Sequence, residues 1–135
     1  MNVDTLLVAD YANVAEGGKL NVMGIFREIR TKKFPAAHPE MFLIIGMNAS
    51  PAEYGKKRNI TIKLINADAT QELVNMSHDI EVPKGSGGRK VEINHILRLQ
   101  GVQFPSAGTY QFSVLVDNDE KGAIPIELIE LPQAK

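Results

Sequence analysis

Residues 74–82, Val74-Asn75-Met76-Ser77-His78-Asp79-Ile80-Glu81-Val82, alternate without interruption between a mainly apolar set and a polar one. Successive side chains of a strand point to opposite faces, so Val74, Met76, His78, Ile80 and Val82 share one face and Asn75, Ser77, Asp79 and Glu81 the other. Residues 91–100 repeat the pattern, with Val91, Ile93, His95, Leu97 and Leu99 set against Glu92, Asn94, Arg98 and Gln100. Between them Pro83-Lys84-Gly85-Ser86-Gly87-Gly88 reads as a flexible connection. Two half-buried strands in succession set the expectation for the rest of the chain.

Working outward, period two persists. Residues 3–11 form a first candidate strand, ending before Asn13 and the Gly17-Gly18 turn. Leu20 to Phe26 starts a second that extends toward Ile29. Phe34-Pro35 and Pro39 break the chain before Met41-Phe42-Leu43-Ile44-Ile45, which is apolar on both alternating faces and so reads as a central strand covered on both sides. Ile60, Ile62 and Leu64 alternate with Asn59, Thr61 and Lys63. Tyr110, Phe112, Val114 and Val116 form the inner face of a seventh strand, and Ile124, Ile126 and Leu128 belong to the last. Pro125 lacks a backbone donor, which puts that strand at an edge or bulges it there. The one helical feature is a turn near 50–55, where Ser50-Pro51-Ala52-Glu53 has capping-box residues and Gly55 ends it.

About eight strands joined by short turns predict an all-β, antiparallel two-sheet sandwich, immunoglobulin-like in architecture, filling residues 1–135 as one domain. The Gly108-Thr109-Tyr110 segment resembles a tyrosine corner, in which the Tyr hydroxyl bonds back to nearby backbone.

Composition narrows the function classes. A net charge of −1 argues against a protein built to coat nucleic acid or an anionic membrane. The absence of cysteine removes thiolate catalysis, Cys-based zinc sites and disulfide scaffolds, and suits a reducing cytoplasm. No apolar run approaches membrane-span length, and the first residues do not read as a signal peptide, so the expected location is cytoplasmic. The Asn-x-Ser/Thr matches at Asn48, Asn59 and Asn75 are then chance.

Candidate sites follow from residue type and spacing. If the strands of 74–82 and 91–100 form a hairpin with Val82 facing Val91, His78 lies opposite His95, with Cβ atoms roughly 4.5–5.5 Å apart. Two imidazoles so placed are a metal-site candidate that lacks its further ligands, or a proton-sensitive pair, or two histidines satisfied locally. Arg27, Arg30, Lys32 and Lys33 form the strongest basic cluster and the anion-binding candidate, with Lys56, Lys57 and Arg58 a second; both also suit a solvated edge. Asp4 and Asp10 are too far apart along one strand for acid–base work, about 20 Å at roughly 3.4 Å per residue. Asp117, Asp119 and Glu120 do not fit a calcium loop, and the 85–88 glycines do not fit a phosphate loop. No catalytic constellation and no cofactor motif emerges.

Three stretches together resemble a known family: VDTLLVADYANV at 3–14, LNVMGIF at 20–26 and LQGVQFPSAGTYQFSVLVDN at 99–118. They are similar to a family of small bacterial proteins of unknown function, which share a V-D-x-L-L-x-A-D start and an F-P-x-x-G-x-Y-x-F element. The resemblance spans nearly the whole chain and implies a bacterial origin and a sandwich fold, with no catalytic residues to transfer. The expected function is therefore a non-catalytic protein–protein interaction or assembly module, binding a partner or another copy through sheet edges. Apolar Ile129 and Leu131, opposite the presumed core face, hint at self-association. A metal-dependent enzyme or sensor using His78 and His95, and anion or nucleic-acid binding through Arg27–Lys33, are the alternatives.

Overall fold

The computed structural model describes residues 1–132, so the last three positions of the expected 1–135 domain lie outside the described residues. The chain forms β1 (Asn2–Val14), β2 (Leu20–Ile25), β3 (Glu28–Thr31), β4 (Ala36–Ala49), a 3-10 turn (Pro51–Glu53), β5 (Lys57–Asn66), β6 (Glu72–Glu81), β7 (Val91–Phe104), β8 (Gly108–Val116) and β9 (Asp119–Glu130). Two sheets result, a four-stranded one ordered β2-β1-β4-β7 and a five-stranded one ordered β3-β9-β8-β5-β6.

Their inner faces build the core. Met41, Leu43, Ile45 and Met47 of β4 pack with Ile60, Ile62 and Leu64 of β5, Phe112 and Val114 of β8, and Ile126 of β9. The two-sided apolar run behaves as its sequence implies: β4 lies between β1 and β7, and every residue from Met41 to Met47 is buried. Its outer side chains Phe42 and Ile44 join Ala9 and Ala12 in a second cluster, against which Leu7, Leu20, Val22 and Ile96 pack.

Several boundaries differ from the sequence expectation. Among the described residues there are nine strands, because the segment after Phe26 is a separate strand in the other sheet. Phe26 still donates its amide to Val8, while the carbonyl of the next residue, Arg27, accepts from Glu127. Two adjacent residues thus bond to different sheets, and β3 runs parallel to β9, so the fold is not wholly antiparallel. Strand β4 begins at Ala36 and tolerates Pro39, because its pairing with β1 does not extend beyond Phe42, leaving the proline with no β1 neighbour. Pro125 is tolerated for a similar reason: β9 sits between β3 and β8, but β3 covers it only from Glu127 onward. The Asp117-Asn118 turn has φ of 49° and 67° at its two residues, the left-handed pair that matches the twist of a tight hairpin.

Local chemistry fixes the ends of the sandwich. Glu53 accepts from the Ser50 amide at 3.1 Å, as the capping residues imply, but the turn is 3-10 and one turn long. The same carboxylate accepts from the Met1 amine at 2.7 Å and from Arg58 at 3.2 Å. That amine, with the Ser50 amide and Arg58, holds Glu53 down to about 2 despite partial burial. Tyr110 closes the corner: its hydroxyl donates to the Ser106 carbonyl at 2.7 Å and its ring meets Phe104 edge-on, with centroids 5.0 Å apart. Because Tyr110 is buried, Tyr110→Phe should strand the Ser106 carbonyl and lower stability by about 1–2 kcal/mol, read by urea denaturation. An unchanged midpoint would show that the corner bond contributes nothing.

Candidate functional site

The first candidate surface comes from the β1–β2 hairpin. Its strands pair from Ala9↔Ile25 through Tyr11↔Met23 to Val14↔Leu20. Gly24 has φ +70°, a conformation that favours glycine, and a Cβ there would lie 2.5 Å from an oxygen of Asp10. Beyond this position the hairpin folds over the outer face of its own sheet. Ala12, Leu20 and Val22 reach the Phe42–Ile44 cluster, and β1 comes within 8 Å of β7 although β4 separates them in the ladder order. Between the hairpin tip and the sheet lies a polar cleft of about 540 Å³, lined by Asp4, Thr5, Lys19, Glu92 and Asn94 among others.

The cover is incomplete. Among the described residues, the exposed large apolar side chains are Tyr11, Val14, Met23, Ile25 and Met76, and all but Met76 lie on this hairpin. Met23 is 66% and Ile25 56% exposed, more than scattered surface apolars need. Tyr11 rests edge-on against Phe42 at 5.3 Å between centroids, which anchors one side of the strip. By contrast Ile129 and Leu131 are half-buried, so the exposed apolar surface is not where the last strand had suggested.

The basic candidates continue from the same edge. Arg27 sits at the sheet switch, Arg30 on β3, and Lys32 and Lys33 in the connection to β4; all four are exposed. Arg30 is paired with Glu28 at 3.1 Å, while Arg27, Lys32 and Lys33 enter none of the ion pairs among the described residues. The second basic cluster is structural in part: Arg58 bridges Glu53 and Asp117, and Asp117 also accepts from the Asn59 amide at 2.9 Å. That role accounts for Asp117, the first carboxylate of the hairpin tip. Asp4 accepts from Asn48 at 3.0 Å and Thr5 at 3.2 Å, and Asp10 lies over Gly24.

His78 and His95 do meet, but not through the expected hairpin. Strand β6 pairs with β5, placing His78 opposite Ile60, and β7 pairs with β4, placing His95 opposite Ile45. The Pro83–Lys90 connection crosses from one sheet to the other, since Val82 is bonded to Lys56 and Gly55 rather than turning back on β6. Both histidines point inward from the last strand of their sheet, and the rings stack across the sandwich with centroids 4.6 Å apart and planes at 33°. Neither Nε2 has a hydrogen-bond partner. Among the described residues no group of three His, Cys, Asp or Glu side chains converges, so the pair alone falls short of a zinc ligand set. His38, which sequence patterning did not single out, has a similarly unpartnered Nε2 and packs on Phe26 at 5.7 Å.

Burial, with a smaller contribution from His78, pushes the His95 imidazole below its ordinary value. A folded-state value below the unfolded one means that the unfolded chain takes up protons first. Stability should therefore hold above about pH 6.5 and fall as the pH drops below it. Urea denaturation at pH 7.5 and 5.5 should show that loss in the native sequence and a smaller one in His95→Gln. Equal losses in both would contradict a role for the stacked pair.

The fold and these surfaces define a two-sheet β-sandwich with an apolar hairpin and a cationic edge. The family model described as a family of unknown function (DUF6941) matches residues 4–129, and the chain belongs to that family. No curated protein matches the sequence. Among solved structures it is similar to the Pseudomonas fluorescens alkylpurine DNA glycosylase AlkC bound to DNA containing an abasic site analog, at TM-score 0.53 and 12% identity. That likeness covers 95% of this chain but 30% of the glycosylase chain, and it is one of fold. A β-glucuronidase from glycoside hydrolase family 2 aligns over 72% of this chain and 10% of its own, at TM-score 0.38 and 9% identity.

Proposed function

We propose that this protein is a non-catalytic interaction module that docks a protein partner on its β1–β2 hairpin, in the bacterial cytoplasm. The observation that carries this reading is the concentration of exposed apolar side chains, Tyr11, Val14, Met23 and Ile25, on one hairpin at a sheet edge. Exposed apolar surface is costly to keep in water, and its burial by a partner gives roughly 25 cal/mol per Å² before the costs of association. The free edge of β2 adds unpaired backbone groups that a partner strand can satisfy. A cysteine-free chain suits the reducing compartment named here.

A second reading, anion or nucleic-acid binding at residues 27–33, is favoured by Arg27, Lys32 and Lys33, which are exposed and enter no ion pair among the described residues. It predicts binding that weakens steeply with salt and ignores Met23.

Affinity capture from a lysate of the source organism, with the native chain beside a Met23→Ser, Ile25→Ser double variant, separates the readings. A partner retained by the native protein and lost by the variant is expected. Capture of the same proteins by both, or of none, contradicts docking on the hairpin.

A further inference from the structure

We propose that the edge from Leu20 to Lys33 takes an extended protein segment in which apolar residues are followed or preceded by a run of Asp and Glu. This deepens the interaction-module reading and rests on it. The edge is one continuous piece of chain: β2 borders the four-stranded sheet, β3 borders the five-stranded sheet, and only Phe26 and Arg27 separate them. Its contour from Leu20 to Thr31 is about 40 Å at roughly 3.3 Å per residue, interrupted at Phe26 and Arg27 where the chain changes sheet, so the partner segment must turn with it.

The two halves of this edge differ in chemistry. The β2 half exposes Met23 and Ile25, with Tyr11 paired opposite Met23. The other half, residues 27–33, carries Arg27, Arg30, Lys32 and Lys33 against Glu28, a segment charge of +3 in a chain whose total is −1. Glu127 and Glu130 of β9 lie beside it, Glu127 accepting from Thr109. Arg27, Lys32 and Lys33 enter none of the ion pairs among the described residues. Glu28 is already engaged by Arg30. An occupant must therefore bury apolar side chains at one end and supply negative charge at the other. Single exposed ion pairs contribute little, so the acidic run needs several carboxylates to matter.

Charge also selects among occupants. In an antiparallel pairing of two β2 edges centred on Met23, Lys19 of each copy would face Arg27 of the other, and the like charges oppose a second copy of this chain. A nucleic acid would satisfy the cations but gains nothing from Met23 and Ile25. The aromatic rings nearest the cations, Phe26 and Phe34, are packed against the main core instead of standing free as stacking platforms for bases.

The test is selection of a phage-displayed random 12-residue peptide library on the full chain. Recovered peptides are then assayed against Met23→Ser/Ile25→Ser and Arg27→Glu/Lys32→Glu/Lys33→Glu, whose folding is checked by thermal melts. Enrichment of sequences joining an apolar stretch to Asp/Glu is expected. Their affinity should fall at least tenfold in each variant and weaken with added salt. No enrichment, a basic or uncharged consensus, binding that survives either variant, or tighter binding of a twelve-nucleotide oligo-dT than of the peptides would overturn the proposal. If the library fails while capture still returns a partner dependent on Met23 and Ile25, the acidic-segment inference falls and the interaction module stands.

Discussion

Burial of both faces of β4 is the constraint on which the rest of the molecule depends. Its inner side chains meet the second sheet in an ordinary sandwich core, but its outer ones, Phe42 and Ile44, are equally apolar. A sheet face left like that in water would be unstable, so something must lie over it. The chain provides the cover from within by folding over the β1–β2 hairpin and laying Ala12, Leu20 and Val22 on the exposed side of the sheet. A short hairpin cannot hide apolar side chains on both of its own faces. Tyr11, Met23 and Ile25 are left in solvent as a consequence, and the candidate docking surface is thus tied to the way the core is closed.

The same segment solves a second problem. A two-sheet fold has two open edges on each side, and each is an opening for unwanted strand pairing. Here one stretch of chain forms both edges on one side by passing from β2 to β3 through Phe26 and Arg27. The cations that follow the switch discourage pairing with another copy while leaving room for an oppositely charged partner. On the opposite side, β6 and β7 are drawn together by side chains instead, with His78 stacked on His95 inside the seam. That contact is one of packing between two half-buried rings.

Much of this was legible in the residues. Alternation at 74–82 and, interrupted only by Ile96, at 91–100 gave two strands and their inward faces, and the two-sided run at 41–45 gave the centre of a sheet. Tyr110 and Ser50–Glu53 announced a corner and a capped turn because their hydrogen bonds are local. What could not be read was pairing. Both histidines were rightly placed on inward faces, yet they meet across the sandwich and not along a hairpin, because alternation says which way a side chain points and nothing about which strand lies beside it. The fold-over of the hairpin was hidden for a related reason: a glycine such as Gly24 permits a change of direction, and only the packing of Ala12, Leu20 and Val22 with Phe42 and Ile44 shows where the strands go. The Tyr11–Met23 strip looked like part of an ordinary alternating strand, since exposure is a property of what covers a residue.

Hydrogen–deuterium exchange of the free protein and of its complex with a captured partner tests the central claim most directly. If the hairpin and its continuation are the docking edge, the amides of residues 20–33 that face away from β1 and β9 exchange readily in the free chain, where β2 and β3 have no outer neighbour, and slow on binding. Protection confined to β6 and β7, with residues 20–33 unchanged, would contradict the account and move the site to the histidine seam.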